Sequence, residues 1–241
     1  MRRKRVAPAA PVACAAALAA VGLVGGVVAQ DPNGVEDLPP NEIVEKAVDA
    51  TKSADSLRLK GVATSGPDEV RMDLAVSKKG DCKGTISPRE GITAEIIKVG
   101  DAAYLKGDEA FWKDREVDAG EAASLLADQW LKLPAGQEGF GELAEVCDAD
   151  NLLKDVPDPA GEGLTKGKVH EVDGRPAVPV SGKDGDVTGR MEVATEGEPY
   201  ILRISETGGD EPVDVRMTDY NKPVDAKAPH PDDVLELGDL E

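Results

Sequence analysis

Residues 70–76 read Val-Arg-Met-Asp-Leu-Ala-Val, with an apolar side chain at every second place. Side chains alternate between the two faces of a strand, so this period of two describes a strand with one face in oil and one in water. Few patterns constrain a chain more, because a sheet built from such strands must bury its apolar face under something else. Similar segments recur at short spacing. Leu57-Arg-Leu-Lys alternates in the same way, "KKGDC" turns the chain into a strand over residues 82–87, and "GITAEIIKVG" supplies another. "AAYLKGDEAFWK" is predicted to be a hairpin around Gly107-Asp108. Four or five strands at hairpin spacing imply an antiparallel meander.

The candidates for cover are helices. After Pro39-Pro40, Asn41 is placed to cap a helix whose Ile43, Ala47, Ala50 and Ala54 share one face, ending before "SADSLRLKG". Asp118 with Glu121 three residues on resembles a capping box, and Ala122, Leu125, Leu126 and Trp130 make a helical stripe that stops at Pro134. A third helix is predicted over residues 142–153, burying Leu143, Val146 and Cys147. Strands then resume. "KVHEVDGRPAVPV" reads as a hairpin around Asp173-Gly174. The segment after it alternates Val187, Gly189, Met191 and Val193, then Tyr200, Leu202 and Ile204, and "PVDVRMTDY" adds Val213, Val215 and Met217. One helix before the strands and two between the strand blocks predict an α+β protein.

The first residues place Arg2, Arg3, Lys4 and Arg5 ahead of an uncharged apolar run over residues 6–29 that ends in Val-Val-Ala. That is the layout of a secretory signal cleaved near Ala29. The run is also long enough to serve as an uncleaved N-terminal membrane anchor. Cys14 follows Pro11-Val12-Ala13, with proline where a lipid-attachment box needs a leucine-like residue and fifteen apolar residues still to come. Lipidation at Cys14 is therefore not expected. Residues 30–40 are expected to be a flexible linker, residues 41–234 one domain, and residues 235–241 an acidic tail.

The chain holds 28 basic and 47 acidic residues, and losing the leader's four basic ones leaves 24 against 47, a net charge of −23. Such a surface repels phosphate backbones, so nucleic-acid binding is excluded as a function class. Scattered rather than blocked, the acids read as solvated surface. Export would place Cys82 and Cys147 in an oxidising space, where an even count favours a disulfide. Two cysteines with no histidine beside them make a poor zinc site, and no metal or cofactor is expected. Closing a loop of about 66 residues is worth about 4 kcal/mol in the chain-entropy model.

No segment carries a catalytic pattern. His170 and His230 lie outside any Ser-His-Asp or metal-ligand context, and His170 is predicted to face solvent from a hairpin strand. "GEGLTKGKV" lacks the spacing of a phosphate loop, and "KDGDVTGRMEV" has Thr195 where a calcium loop needs glutamate. Tyr104, Phe111, Trp112 and Trp130 gather around the first strand block and the helix after it. Their rings serve either as core packing or as walls of an apolar pocket.

The order of the pieces resembles a known family. The helix "EIVEKAVDATKSADSLRLKG", the meander ending in "KVGDAAYLKGDEAFWK", the hairpin "VDGRPAVPV" and the closing "VDVRMTDYNKPVDAKAPHPDDV" together resemble the LppX/LprG-type cell-envelope lipoproteins of actinobacteria, themselves similar to the LolA/LolB lipoprotein carriers. The resemblance runs over residues 41–234. It implies a strongly curved antiparallel sheet, a half-open barrel, whose concave apolar face is covered by helices and binds a lipid or other apolar molecule. Leu59, Met72, Leu74, Ile96, Leu202 and Met217 would line that cradle, with Tyr104 and Trp112 as ring walls. It also implies a non-catalytic, extracytoplasmic protein, with membrane association through the N-terminus as a further expectation. The alternative is a structural or protein-interaction module with a packed interior. Oligomeric state is not legible.

Overall fold

A computed structural model describes residues 31–65, 68–114, 121–135, 140–154, 163–209 and 212–236. Residues 1–30, with Cys14 and the expected cleavage position near Ala29, lie outside them, as do Asp118 and residues 237–241. The strands are β1 (Ser56–Ser65), β2 (Asp68–Ser77), β3 (Cys82–Arg89), β4 (Ile92–Val99), β5 (Ala102–Gly107), β6 (Trp130–Pro134), β7 (Thr165–Lys166), β8 (His170–Val172), β9 (Arg175–Asp184), β10 (Val187–Ala194), β11 (Ile201–Thr207), β12 (Val213–Thr218) and β13 (Val234–Glu236). The helices are α1 (Pro40–Ser53), α2 (Glu109–Asp114), α3 (Glu121–Leu126), α4 (Phe140–Val146) and α5 (Ala149–Lys154).

All strands join one curved sheet in the order β13-β6-β5-β4-β3-β2-β1-β12-β11-β10-β9-β7, with β8 also on β9. The sheet curls without closing. Every pairing is antiparallel except β13 on β6. β1 pairs with β12 and so joins the two meanders, with the first and last long strands side by side at the centre. Register sets the faces. On the inner face Met217, Leu59 and Leu74 stand in one cross-strand row, continued by Gly84, Ile96 and Leu105. The outer face carries the charged partners of that alternation, such as Lys60 opposite Asp73 and Arg216.

Two glycines let the sheet bend so sharply. A Cβ on Gly61 would lie 2.1 Å from the Asp214 carbonyl oxygen, and one on Gly84 would lie 2.0 Å from that of Asp73. No side chain fits there, and a glycine inside a strand marks a tight bend or close backbone approach. The turn at Asp173-Gly174 has φ of 50° and 78°, the left-handed pair that a two-residue hairpin requires.

The helices pack on the inner face. α1 lies against β9, β10 and β11 through Ile43, Val44, Ala47 and Thr51, while α2 and α4 lie against β4 and β5. α1 begins at Pro40, a residue pre-set for the first helical position, rather than being capped by Asn41. The disulfide joins Cys82, at the start of β3, to Cys147 between α4 and α5, with Cα atoms 5.3 Å apart and both residues fully buried. It staples the helical layer to the sheet.

Several expectations change. Gly107-Asp108 is not a hairpin: Asp108 Oδ1 accepts from the Phe111 N–H at 2.7 Å and caps α2. The second helix stops at Leu126, after which Asp128 takes a φ of 60° and Trp130 enters β6. The third helix is two helices, broken where Asp148 Oδ1 caps α5 by accepting from the Asp150 and Asn151 N–H groups. The segment expected to be a linker is packed. Val35 is buried, Pro32 bridges to Glu196, and the Asn33 amide donates to the carbonyls of Ala194 and Gly197 at 3.0 Å. Leu235 and Glu236, assigned to an acidic tail, pair with Leu131 and Lys132 of β6.

Candidate functional site

Burial along the inner face is graded. The row Leu57, Val76, Cys82 and the next row Leu59, Leu74, Ile96 are at most 4% exposed. One step further toward the β1–β2 hairpin, Gly61, Met72 and Ile86 are only half-buried, as are Ala63, Val70 and Val213 beyond them. Over β1 to β3 the trough is therefore sealed at one end and open at the other, whereas the row of Gly61, Met72 and Ile86 stays buried on either side, Ala94 at 2% and Val215 at 8% exposed. Half-buried Phe140, Val146 and Leu152 of the helical layer also pack on the core cluster that Met72 and Ile86 join.

At that open end the rim is charged. Arg89 lies 2.9 Å from Asp114 at the close of α2 and 3.9 Å from Asp68 at the start of β2. The sealed end carries Lys98, whose Nζ donates to the Gly80 carbonyl at 2.8 Å. Between these ends the inner rows of β1 to β4 and β12 are apolar or glycine, while Glu206 of β11, opposite Val213, and Lys166 of β7, opposite Val180, share the face farther round the sheet. An apolar stretch flanked by a few charged groups suits a ligand with an oily body and a wet end.

Leu59, Met72, Leu74, Ile96 and Met217 share this inner face. Only Met72 lies in its open part; the other four are 1–4% exposed and form the packed floor. Trp112 is a lid residue already committed to packing: its indole N–H donates to the Leu126 carbonyl at 3.1 Å, and its ring meets Phe111 edge-on at 5.2 Å. Tyr104 stands on the outer face, where it pairs with Ile97 and Lys132. Leu202 is also on the outer face. Glu192 pairs with Arg203 while Val193 pairs with Ile201, so Leu202 is the extra residue of a bulge and packs with Ala177, Ala194 and Val172. Simple alternation could not have shown this.

The sequence reading missed Ile86, opposite Met72, although the period through Gly84 and Ile86 in β3 was there to read. Arg89 could not be found that way, because its partners come from β2 and α2.

The outer face is a ladder of ion pairs. Asp73 accepts from Arg58 at 2.6 Å and lies 3.1 Å from Lys60, and Asp214 takes both Nε and Nη2 of Arg203. These hydrogen bonds hold both carboxyls below the usual aspartate range. Glu192 is 5% exposed, with Arg190 at 2.6 Å and His170 at 3.4 Å. Among the described residues no group of three or more His, Cys, Asp or Glu side chains is placed to hold a metal ion. No helix among them is long and apolar enough to cross a membrane.

A curved, open, mostly antiparallel sheet with helices in its trough is the fold of the LppX/LprG-type lipoproteins. The crystal structure of LprF from Mycobacterium bovis superposes with a TM-score of 0.54 over 79% of this chain and 96% of its own, at 15% identity. That of the Mycobacterium tuberculosis lipoprotein LppX gives 0.52 over 78% and 98%, at 16% identity. No protein-family model and no curated protein matches the sequence.

Proposed function

We propose that this protein is an exported, non-catalytic cell-envelope protein that holds a lipid or other apolar molecule on the inner face of its sheet. The observation that carries this reading is the burial gradient: a sealed floor of Leu57, Leu59, Leu74 and Val76 passes into half-buried Met72, Ile86, Val70 and Val213 at an open, charged rim. Apolar surface left half-exposed in the concavity of a sheet gains free energy by taking an apolar ligand, at about 25 cal/mol per Å² covered. Likeness of fold to the lipoprotein LppX and to LprF supports it. The leader sequence and the buried disulfide support an extracytoplasmic location.

Native mass spectrometry on protein purified from an exporting host without detergent tests this reading. A bound species in the mass range of a lipid, removed by organic extraction, is the expected result. The second reading, a module with a packed interior, draws on the sealed rows. Protein that leaves the host bare and takes up no added fatty acid or diacylglycerol would establish that reading and refute the first.

A further inference from the structure

A cavity of about 500 Å³ lies at the sheet's end, where the β8–β9 hairpin meets the start of β11 and the close of β12. Part of its wall, Val172 and Leu202, belongs to the outer-face cluster and not to the trough. Tyr200 and Tyr220 add a stacked pair, ring centroids 4.0 Å apart and planes within 5°. The pair is fixed in place. Tyr220 donates to the Ile201 carbonyl at 2.5 Å, and Asn221 donates to the Tyr200 hydroxyl at 2.7 Å while accepting from the Asp55 N–H.

Most charges around this cavity are matched. Asp173 lies 3.2 Å from Arg216, and Asp219 lies 2.6 Å from Lys222. Arg175 and exposed Glu198 are the exceptions, and Arg175 is the cationic one. It is half-buried and lines the cavity, yet its guanidinium makes no hydrogen bond or ion pair with any described residue. A guanidinium presents five donors, and those of Arg175, not sealed from water, are left for solvent or a ligand to fill. In a chain with 47 acids to 28 bases, a partner was within easy reach of the sequence, and none is supplied. Glu198, exposed at the rim, adds one negative charge that disfavours a multiply charged ligand.

We propose that this cavity is a second binding site, for a small organic anion. Its acid group, a carboxylate or a phosphate monoester, pairs with Arg175, and its flat or apolar body rests against Tyr200, Leu202 and Val172. A volume of about 500 Å³ falls in the usual range for small-molecule sites. The geometry of the fork favours a two-oxygen acceptor.

Titrations of the isotope-labelled protein, followed by the backbone amides of Val172, Arg175, Tyr200, Leu202 and Asn221, test the proposal. The probes are benzoate, phenyl phosphate, acetate and benzyl alcohol. Benzoate or phenyl phosphate should move these amides saturably, the comparison between them reporting which acid group the site takes. Benzyl alcohol and acetate should each bind about tenfold more weakly or worse, since one lacks the charge and the other the body. Arg175→Gln should weaken the better anion about tenfold or more, Arg175→Lys less, while the amides of Leu57, Leu74 and Val76 stay still. Absence of saturable shifts, equal binding of benzyl alcohol or acetate, unchanged binding by Arg175→Gln, or shifts confined to the trough would each overturn it. None of those results bears on the apolar ligand of the inner face.

Discussion

Gly61 and Gly84 show how much of this fold rests on single residues. Each sits where the neighbouring strand's carbonyl approaches within about 2 Å of the place a Cβ would take. Gly84→Ala is expected to lower stability by about 1–3 kcal/mol, because backbone and not a flexible side chain must give way. Urea unfolding measures this; an unchanged midpoint would mean that the sheet does not bend there. Asp73 illustrates the electrostatic side. Its carboxyl is depressed below the unfolded value by Arg58 first and Lys60 second, so the pair stabilises the fold above the unfolded aspartate pKa and is lost as pH falls through the folded one. Asp73→Asn should therefore cost about 0.5–1 kcal/mol near pH 7, given the partial exposure of both partners, and progressively less as pH falls through the titration of the folded carboxyl. Parallel stability curves for the two proteins from pH 7 to pH 2 would contradict this. At this scale the sequence was legible where alternation held, as for Leu59, Met72, Leu74 and Met217. It misled at Leu202, where one extra residue in β11 reverses the phase, and at Tyr104, whose aromatic ring says nothing about which face it takes.

Among the elements, the strands were read well and the helices less so. Strands announce themselves by a period of two that survives in short segments. Helices of six or seven residues such as α2 to α5 are too short to show a stripe, and are marked mainly by their caps. Asp108 is such a cap hidden inside a Gly-Asp pair that also signals a turn. Gly107 beside it is needed for a different reason, since a Cβ there would meet the Phe111 ring at 2.3 Å. The disulfide follows from compartment and cysteine count, yet its mechanical role needed the structure. Bridging residues 65 apart, it holds the α4–α5 layer against β3. Replacing both Cys82 and Cys147 with alanine is expected to cost about 4 kcal/mol from loop closure. Because α4 and α5 are short, the loss should fall first on them. Hydrogen exchange would then quicken in α4 and α5 before it quickens in β1 and β2; equal quickening in all four would count against a stapled lid.

For the whole molecule, the sheet acts as a divider. Its outer side carries cross-strand ion pairs, and its inner side holds apolar side chains under a helical layer that leaves the β1–β2 end partly uncovered. The architecture was legible from the succession of strand blocks and helices, and its curvature came from family resemblance. Where the trough opens was not legible, because that depends on how far each short helix reaches across strands distant in sequence. The account's central claim is that an apolar ligand lies against Met72 and Ile86 at this open end. Photolabelling with a diazirine-bearing fatty acid, followed by peptide mapping, tests it most directly. Saturable label on the peptides of β2 and β3 that carry Val70, Met72 and Ile86, abolished by excess unlabelled fatty acid and reduced by Met72→Glu, is the predicted result. Label confined to outer-face peptides, or spread evenly and indifferent to competitor, would contradict it.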